Sequence, residues 1–310
     1  MSTVSAPRPF DHPALFYRDE QEYLAGTVPF VRDGLAAGDP VAVAVPGANL
    51  ALIRAELGEQ AREVRLLDMT RAGRNPGRII PRVLRAFADS HPRRRPRIIG
   101  EPIWAGRTEA EYPACAQHEA LINLAFQGRE ATILCPYDAT RLAESVLADA
   151  HVTHPTIIRS GAQADSTAYA PEALVARYNQ PLKAPAGVMA TAYTGATLAA
   201  VRQHATRWAA DLGLPGSRLD DFELAVAELT TNSVVHAGGQ GALRIWAQNQ
   251  HVICEVHDAG LLDDPLAGRR LPAGDQRGGR GLLLVNVVAD LVRVHSASDQ
   301  GTTTHVYFRC

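Results

Sequence analysis

The sequence predicts a chain of two α/β domains, and three observations carry that prediction. Over the first ~165 residues, short apolar runs alternate with stretches of helical periodicity, the pattern of a mainly parallel sheet. From 166 to 190 this regularity lapses into prolines, glycines and small polar residues. After Gly238-Gly239 the hydrophobic period changes to two, as antiparallel hairpins require.

Taken in order, Val41-Ala-Val-Ala-Val45 is an apolar strand stopped by Pro46-Gly47, and Leu50 to Leu57 follow at helical spacing. Val64 to Leu67 is the next strand, and Ile79 to Ala88 reads as a helix. Arg97-Ile-Ile-Gly100 is a short strand that leads into Glu101-Pro-Ile-Trp104. Cys115 to Phe126 has helical spacing, and Ala131-Thr-Ile-Leu-Cys135 is a buried strand ending in Pro136-Tyr-Asp138. Pro171, Pro181, Pro185 and Gly187 then interrupt any long element, so 166–190 reads as a linker between a domain at 1–165 and one at 191–310. Leu198, Val201, Ala205 and Trp208 form a helical stripe, Leu214-Pro-Gly216 turns the chain, and a second helix runs from about Arg218 to His236. Leu243, Ile245 and Ala247 alternate with Arg244, Trp246 and Gln248, and Val252, Cys254 and Val256 continue the alternation. Asn249-Gln250 between them is a tight turn. A further helix starts at Leu282, and Leu291–His295 with Thr302–Phe308 make a second hairpin around Asp299-Gln-Gly301.

Composition limits what this chain does. Among 310 residues, 46% are hydrophobic and 21% charged, which suits a water-soluble globular protein. No apolar run approaches the ~20 residues of a membrane helix, and Met1 to Phe10 lacks a signal-peptide core, so a cytoplasmic location without membrane attachment is expected. A net charge of −2 offers no general attraction to nucleic acid. The basic cluster Arg93-Arg-Arg95 with Arg97 sits between prolines, where a solvated loop is favoured over a phosphate-binding patch. Cys115, Cys135, Cys254 and Cys310 are scattered without a CxxC pair, which suggests neither a zinc site nor a disulfide framework.

The most informative stretch is Glu228-Leu-Thr-Thr-Asn232-Ser-Val-Val-His236. Residues four apart share a helix face, so Glu228, Asn232 and His236 form a polar stripe beside the apolar face of Phe222, Val226, Leu229 and Ser233. A carboxylate one turn from a carboxamide suits a nucleotide site, where one group acts on an attacking oxygen and the other helps hold Mg²⁺. Asp258-Ala-Gly260 follows a strand. Leu261 to Arg277, with little periodicity, suits a mobile flap. Gly278-Gly279-Arg280-Gly281 then meets the helix at Leu282, and glycines before a helix N-terminus offer backbone N–H groups to phosphate oxygens.

The helix stripe, Asp258-Ala-Gly260 and the glycine turn, with Gly301-Thr-Thr303 as the fourth signal, resemble in order the Bergerat-type ATP-binding fold, a two-layer α/β sandwich, over roughly the last 120 residues. The resemblance implies ATP and Mg²⁺ as cofactors. It makes Glu228 the catalytic carboxylate and Asn232 the magnesium ligand, with His236 standing where many relatives carry a basic phosphate-contacting residue. By the same resemblance, Asp258 accepts a hydrogen bond from the adenine amino group, and Gly260 lets the backbone approach the ring. Gly279, Arg280, Gly281 and Leu282 form the phosphate loop and helix start, and Thr303 supports the adenine pocket. His204 in Arg202-Gln-His-Ala-Thr-Arg207 lacks the acidic residue and proline that follow the phosphorylated histidine of sensor kinases. The compact domain instead resembles anti-sigma-factor serine/threonine kinases, which act on a small STAS-type antagonist and in many cases bind a sigma factor. The residues around Leu198 to Leu214 are a candidate docking surface. Two alternatives stay open: an ATP-binding anti-sigma module without chemistry, and an atypical histidine kinase.

In the first domain, Phe10-Asp-His12-Pro-Ala-Leu-Phe16-Tyr17, Gly100-Glu101-Pro-Ile-Trp104 and Tyr112 through His118-Glu119 to Asn123 resemble the MEDS sensory domain. That resemblance implies a RecA/KaiC-like α/β fold, although Val45-Pro-Gly-Ala-Asn49 lacks the Gly-Lys-Thr of a working P-loop. His12, Glu101, His118 and Glu119 fall at strand ends or helix starts, where such sheets bind ligands, and they are candidates for sensing a metal or small molecule. The expected whole is a sensor-regulated kinase that controls transcription by exchanging partners and admits a homodimer.

Overall fold

A computed structural model describes residues 10–271 and 279–310. The chain divides into two compact units, one comprising residues up to Arg74 and Ile79–Tyr178, the other Asn75–Arg78 and Asn179–Cys310.

The first unit begins with β1 (Phe10–Asp11), β2 (Pro13–Tyr17), α1 (Glu20–Ala36), β3 (Val41–Val45) and α2 (Gly47–Leu57). It continues with β4 (Arg65–Asp68), the short α3 (Met69–Ala72), a wide-turned helical segment Ile80–Arg85 leading into α4 (Ala86–Asp89), and β5 (Arg97–Gly100). Next come α5 (Tyr112–Ala125), β6 (Ala131–Asp138), α6 (Glu144–Thr153), β7 (Thr156–Arg159), β8 (Ala162–Asp165) and α7 (Pro171–Arg177). Thus the segment after 159 is more regular than its prolines suggest: Pro171 opens a helix, where its missing N–H costs nothing.

The sheet order is β4-β3-β5-β6-β2-β7-β8, with β1 also beside β6. Its pairs are parallel except β7 with β8. β1 and β2 keep one register against β6, Phe10 opposite Ala131 and Ala14 opposite Cys135. The interruption between them is His12, just before Pro13, which has no amide hydrogen for a ladder. At the centre of the sheet both faces are covered. Val41, Val43 and Val45 pack with Val28, Val31, Ile53 and Leu57, while Ala42 and Ala44, pointing the other way, are equally buried. An unbroken apolar run is what a strand buried on two sides needs.

The second unit contains β9 (Thr191–Thr194), α8 (Leu198–Asp211), α9 (Gly216–His236), β10 (Gln240–Gln248), β11 (His251–Asp258), α10 (Gly281–Val288), β12 (Leu291–Ala297) and β13 (Gly301–Arg309). Its sheet, ordered β12-β13-β11-β10-β9, is antiparallel throughout. Leu243, Ile245, Val252, Cys254, Val256, Val306 and Phe308 share a core with Val201 and Ala205 of α8, Phe222, Val226 and Leu229 of α9, and Val285 of α10. The result is a two-layer sandwich. Asn249 (φ 49°) and Gln250 (φ 60°) make the turn between β10 and β11, both in the left-handed region that a two-residue hairpin uses. Arg202 ties α8 to α9 through the Ala227 carbonyl (2.8 Å) and the hydroxyls of Thr230 (3.0 Å) and Thr231 (2.6 Å), so part of the expected docking helix is committed to packing. Among the described residues, no helix is long and apolar enough to cross a membrane.

Candidate functional site

In the second unit a cleft of about 490 Å³ opens between α9, the end of β11, the start of α10 and the start of β13. Asn232, His236, Asp258, Gly260, Gly279, Gly281 and Leu282 line it, so seven residues from three separate sequence signals meet at one place. Leu229, Val256, Leu261, Leu262, Leu266 and Leu271 supply apolar wall, as a flat aromatic ring would require. The part of the expected flap at 272–277, and Gly278 of the glycine turn, lie outside the described residues.

Asp258 ends β11 and is held from two sides. The Ser233 hydroxyl donates to its Oδ2 (2.6 Å), and the backbone N–H of Gly260 donates to Oδ1 (3.0 Å). Each carboxylate oxygen has a second lone pair, so the group stays an oriented acceptor on the cleft wall. The turn after Asp258 is built tightly. Thr302 donates to the Gly260 carbonyl (2.8 Å), and a side chain at Gly301 (φ 72°) would place Cβ 2.1 Å from the Asp258 carbonyl oxygen. Only glycine lets β13 start there.

At the other end, Glu228 and Asn232 lie one turn apart on α9, both half-buried. Asn232 lines the cleft directly. Glu228 is not among the lining residues. Its Oε2 lies against the backbone of Gly281, where a Cβ would approach to 2.5 Å. Gly281 opens α10, so the carboxylate sits beside the positive end of that helix, in line with the dipole. His236 is exposed at the C-terminal end of α9. Arg280 is exposed and does not line the cleft; Arg270 does, but it pairs with Asp264 (2.7 Å).

Thr303 falls on the wrong side of its strand. Alternation sends it to the opposite face, where its hydroxyl meets His257 Nδ1 (3.0 Å), and its neighbours Thr302 and Thr304 line the cleft instead. Ser233, the partner of Asp258, is marked in the sequence as part of the apolar face and not as a site residue. Its only trace in sequence is a small polar residue on the apolar face of α9, where it is fully buried.

The first unit separates the four sensory candidates. Glu101, at the end of β5, is buried and accepts hydrogen bonds from Asn49 Nδ2 (2.9 and 3.0 Å), Tyr23 (3.3 Å) and Tyr17 (3.4 Å). Burial raises its carboxyl to about pH 8, a rise that these hydrogen bonds only partly offset. His12 and Glu119 belong to a different group, with Nε2 and Oε2 3.3 Å apart. Cys135 and His154, which the sequence did not mark, join them. Burial lowers His12 to about 4 and pushes the Cys135 thiol well above its usual range. His118 is buried next to Glu119 on α5, but adjacent helix residues point about 100° apart, and it is not a member of the His12–Glu119 group.

An α/β sandwich with three helices on one face of an antiparallel sheet and a cleft at their ends defines the second unit; a doubly covered parallel sheet defines the first. Comparison with known families agrees. The family described as the MEthanogen/methylotroph, DcmR Sensory domain (MEDS) matches residues 11–155, and that described as the histidine kinase-like ATPase domain matches 191–308. The chain therefore carries an N-terminal MEDS domain and a C-terminal histidine kinase-like ATPase domain. Comparison with curated proteins yields no match. Among solved structures, the RsbU and RsbW domains of Rv1364c from Mycobacterium tuberculosis are similar at 20% identity with a TM-score of 0.28. That match covers 39% of this chain and 32% of the other, well under two thirds of its length.

Proposed function

We propose that residues 191–310 bind ATP with Mg²⁺ and phosphorylate a serine or threonine of a small STAS-type antagonist protein, as a cytoplasmic kinase of the anti-sigma-factor type. One observation carries the proposal: Asn232, Asp258 and the Gly279–Gly281 turn, far apart in sequence, line one cleft in a domain of the histidine kinase-like ATPase family. The residues present fit the cofactor. Asp258, fixed by Ser233 and Gly260, is an acceptor that selects an amino-bearing base. Asn232 offers one carboxamide oxygen, and Mg²⁺ takes the rest of its octahedron from phosphates and water. Gly279 and Gly281 bring the N-terminal end of α10 to the cleft, where backbone N–H groups favour anions. When bound, ATP supplies the transferable phosphoryl group. Glu228, beside Gly281, is the carboxylate that would orient the partner's hydroxyl and take its proton.

The MEDS unit would supply the regulation, with a metal or small molecule as its signal and a RecA/KaiC-like fold that its largely parallel sheet supports. Exchange of the antagonist for a sigma factor would carry the signal to transcription, and a homodimer is compatible with this scheme.

A second proposal, an ATP-binding module that sequesters its partner without chemistry, draws on the placement of Glu228 outside the cleft lining. Incubation with γ-labelled ATP, Mg²⁺ and candidate antagonists separates the two. A kinase deposits acid-stable label on its partner, and Glu228→Gln lowers that rate by about 10²–10⁴-fold while ATP still binds. With nucleotide bound but no label on any candidate, the binding module stands. Acid-labile label on the chain itself, lost with His204→Gln, would instead indicate a histidine kinase.

A further inference from the structure

The buried group of His12, Glu119, Cys135 and His154 in the first unit has the composition and spacing of a closed metal site. Its four donors come from four elements: the junction of β1 and β2, α5, β6, and the residue that ends α6. All four side chains are essentially excluded from solvent. Glu119 Oε2 lies 3.3 Å from Nε2 of both His12 and His154, and Cys135 Sγ lies 3.4 Å from Nε2 of His12. All the donor atoms lie within 4.8 Å of one another. Ligands bound about 2.0–2.3 Å from a tetrahedral ion stand roughly 3.3–3.7 Å apart, so three of these separations are already those of a coordination shell.

Proton counting makes the same case. His12 Nδ1 faces Asn123 Oδ1 (3.2 Å). That amide is oriented by its own Nδ2, which donates to the Thr153 carbonyl (2.9 Å), so the imidazole carries its proton on Nδ1. His154 Nδ1 faces the Ala150 carbonyl (2.9 Å), which can only accept, and it too is protonated there. A neutral ring protonated on Nδ1 presents a bare Nε2 lone pair to the centre. A carboxylate adds only acceptors, and the Cys135 thiol has a single hydrogen to share. Among the described residues, neither Glu119 oxygen nor His154 Nε2 has a hydrogen-bonding partner. With both rings neutral, four lone-pair donors converge on one point, which is costly in a dry interior. A cation relieves it. The backbone carbonyl and carboxamide that hold the Nδ1 protons are the outer contacts that metal-bound histidines need.

We propose that this cluster binds one late first-row divalent ion, Zn²⁺ in type, through His12 Nε2, Glu119, Cys135 Sγ and His154 Nε2. One thiolate, two imidazoles and one carboxylate form the borderline-soft donor set that such ions favour over Mg²⁺ or Ca²⁺. Four protein ligands leave no open position, so the ion is structural: it joins the centre of the sheet to α5 and the end of α6. Binding displaces the thiol proton to solvent. The site does not depend on the kinase proposal, since it is measured without nucleotide.

The test uses the full chain, untagged and purified without added metal. Elemental analysis should find one zinc per chain, and Cys135→Ser and His154→Gln should each lose most of it. Glu101→Gln, which alters a buried carboxyl in the other cluster, should keep it. Because a ligand variant can fail to fold, the wild-type chain should also be refolded with Co²⁺ as sole metal. It should then show the intense visible bands of tetrahedral cobalt and a near-ultraviolet thiolate charge-transfer band. The proposal is overturned if the wild type holds no metal as isolated and shows no such bands with Co²⁺. It is also overturned if folded Cys135→Ser and His154→Gln retain full zinc.

Discussion

Asp258 gathers more of the account at the residue scale than any other side chain, because its two hydrogen bonds set where an adenine amino group would be read. Asp258→Asn replaces an acceptor with a group that can turn a donor into the cleft. We expect it to weaken ADP binding by about 1.5–3 kcal/mol, roughly 10–150-fold in Kd, with little change in Tm. Ser233→Ala, which frees one Asp258 oxygen, should weaken binding in the same direction by about 1 kcal/mol. Calorimetric titration of the two variants checks both. Glu101 makes a separate prediction. Its carboxyl titrates near pH 8 in the folded protein against 4.5 as an ordinary glutamate, so between those values the native state binds a proton that the unfolded state does not. Its contribution is complete below about pH 4.5 and is lost as pH rises through about 8. Glu101→Gln should flatten the decline in Tm between pH 5 and 8. An unchanged slope would show that Glu101 is not its source.

Elements were legible where period and turn chemistry agreed. The β10–β11 hairpin follows from alternation around Asn249-Gln250, although glycine is the usual second residue of such a turn. Gln250→Gly should therefore stabilise the protein: relief of about 1–2 kcal/mol of left-handed strain exceeds glycine's entropy cost of about 0.5–1 kcal/mol. Gly301→Ala should do the reverse. Adding Cβ 2.1 Å from the Asp258 carbonyl at φ 72° should cost about 2–4 kcal/mol, read as a lower urea midpoint with reduced nucleotide affinity. Less legible was the helix expected over Ile79–Ala88. Pro81 lacks the N–H that an α-helix would use, and the chain widens its turns over Ile80–Arg85 before regular α-helix resumes. Thr303 shows the narrowest margin: naming the right strand but the wrong parity moved the side chain to the other face.

For the whole molecule, what sequence reveals depends on whether a site is written locally. The stripe Glu228-Asn232-His236 and the Gly279–Gly281 turn each lie within one element or its edge, so their spacing is visible in sequence; the fold brings Asn232, His236, Gly279 and Gly281 to a common cleft and leaves Glu228 against Gly281, outside its lining. The cluster of His12, Glu119, Cys135 and His154 has no such spacing. Its members are contributed singly by four elements of a parallel sheet and its helices, and only the pairing of β2 with β6 and β7 brings them together. Scattered cysteines argued against a zinc site for that reason alone. Ser233 was hidden differently, since a serine on an apolar helix face looks like a tolerated small residue until its partner 25 positions away is known. All proposals for the second unit share one premise, that its cleft takes an adenine nucleotide. Isothermal calorimetry of the full chain with ADP and Mg²⁺ tests it most directly. One nucleotide should bind per chain, with affinity reduced by Asp258→Asn; absence of heat across a range of temperatures, with the protein shown to be folded, would contradict it.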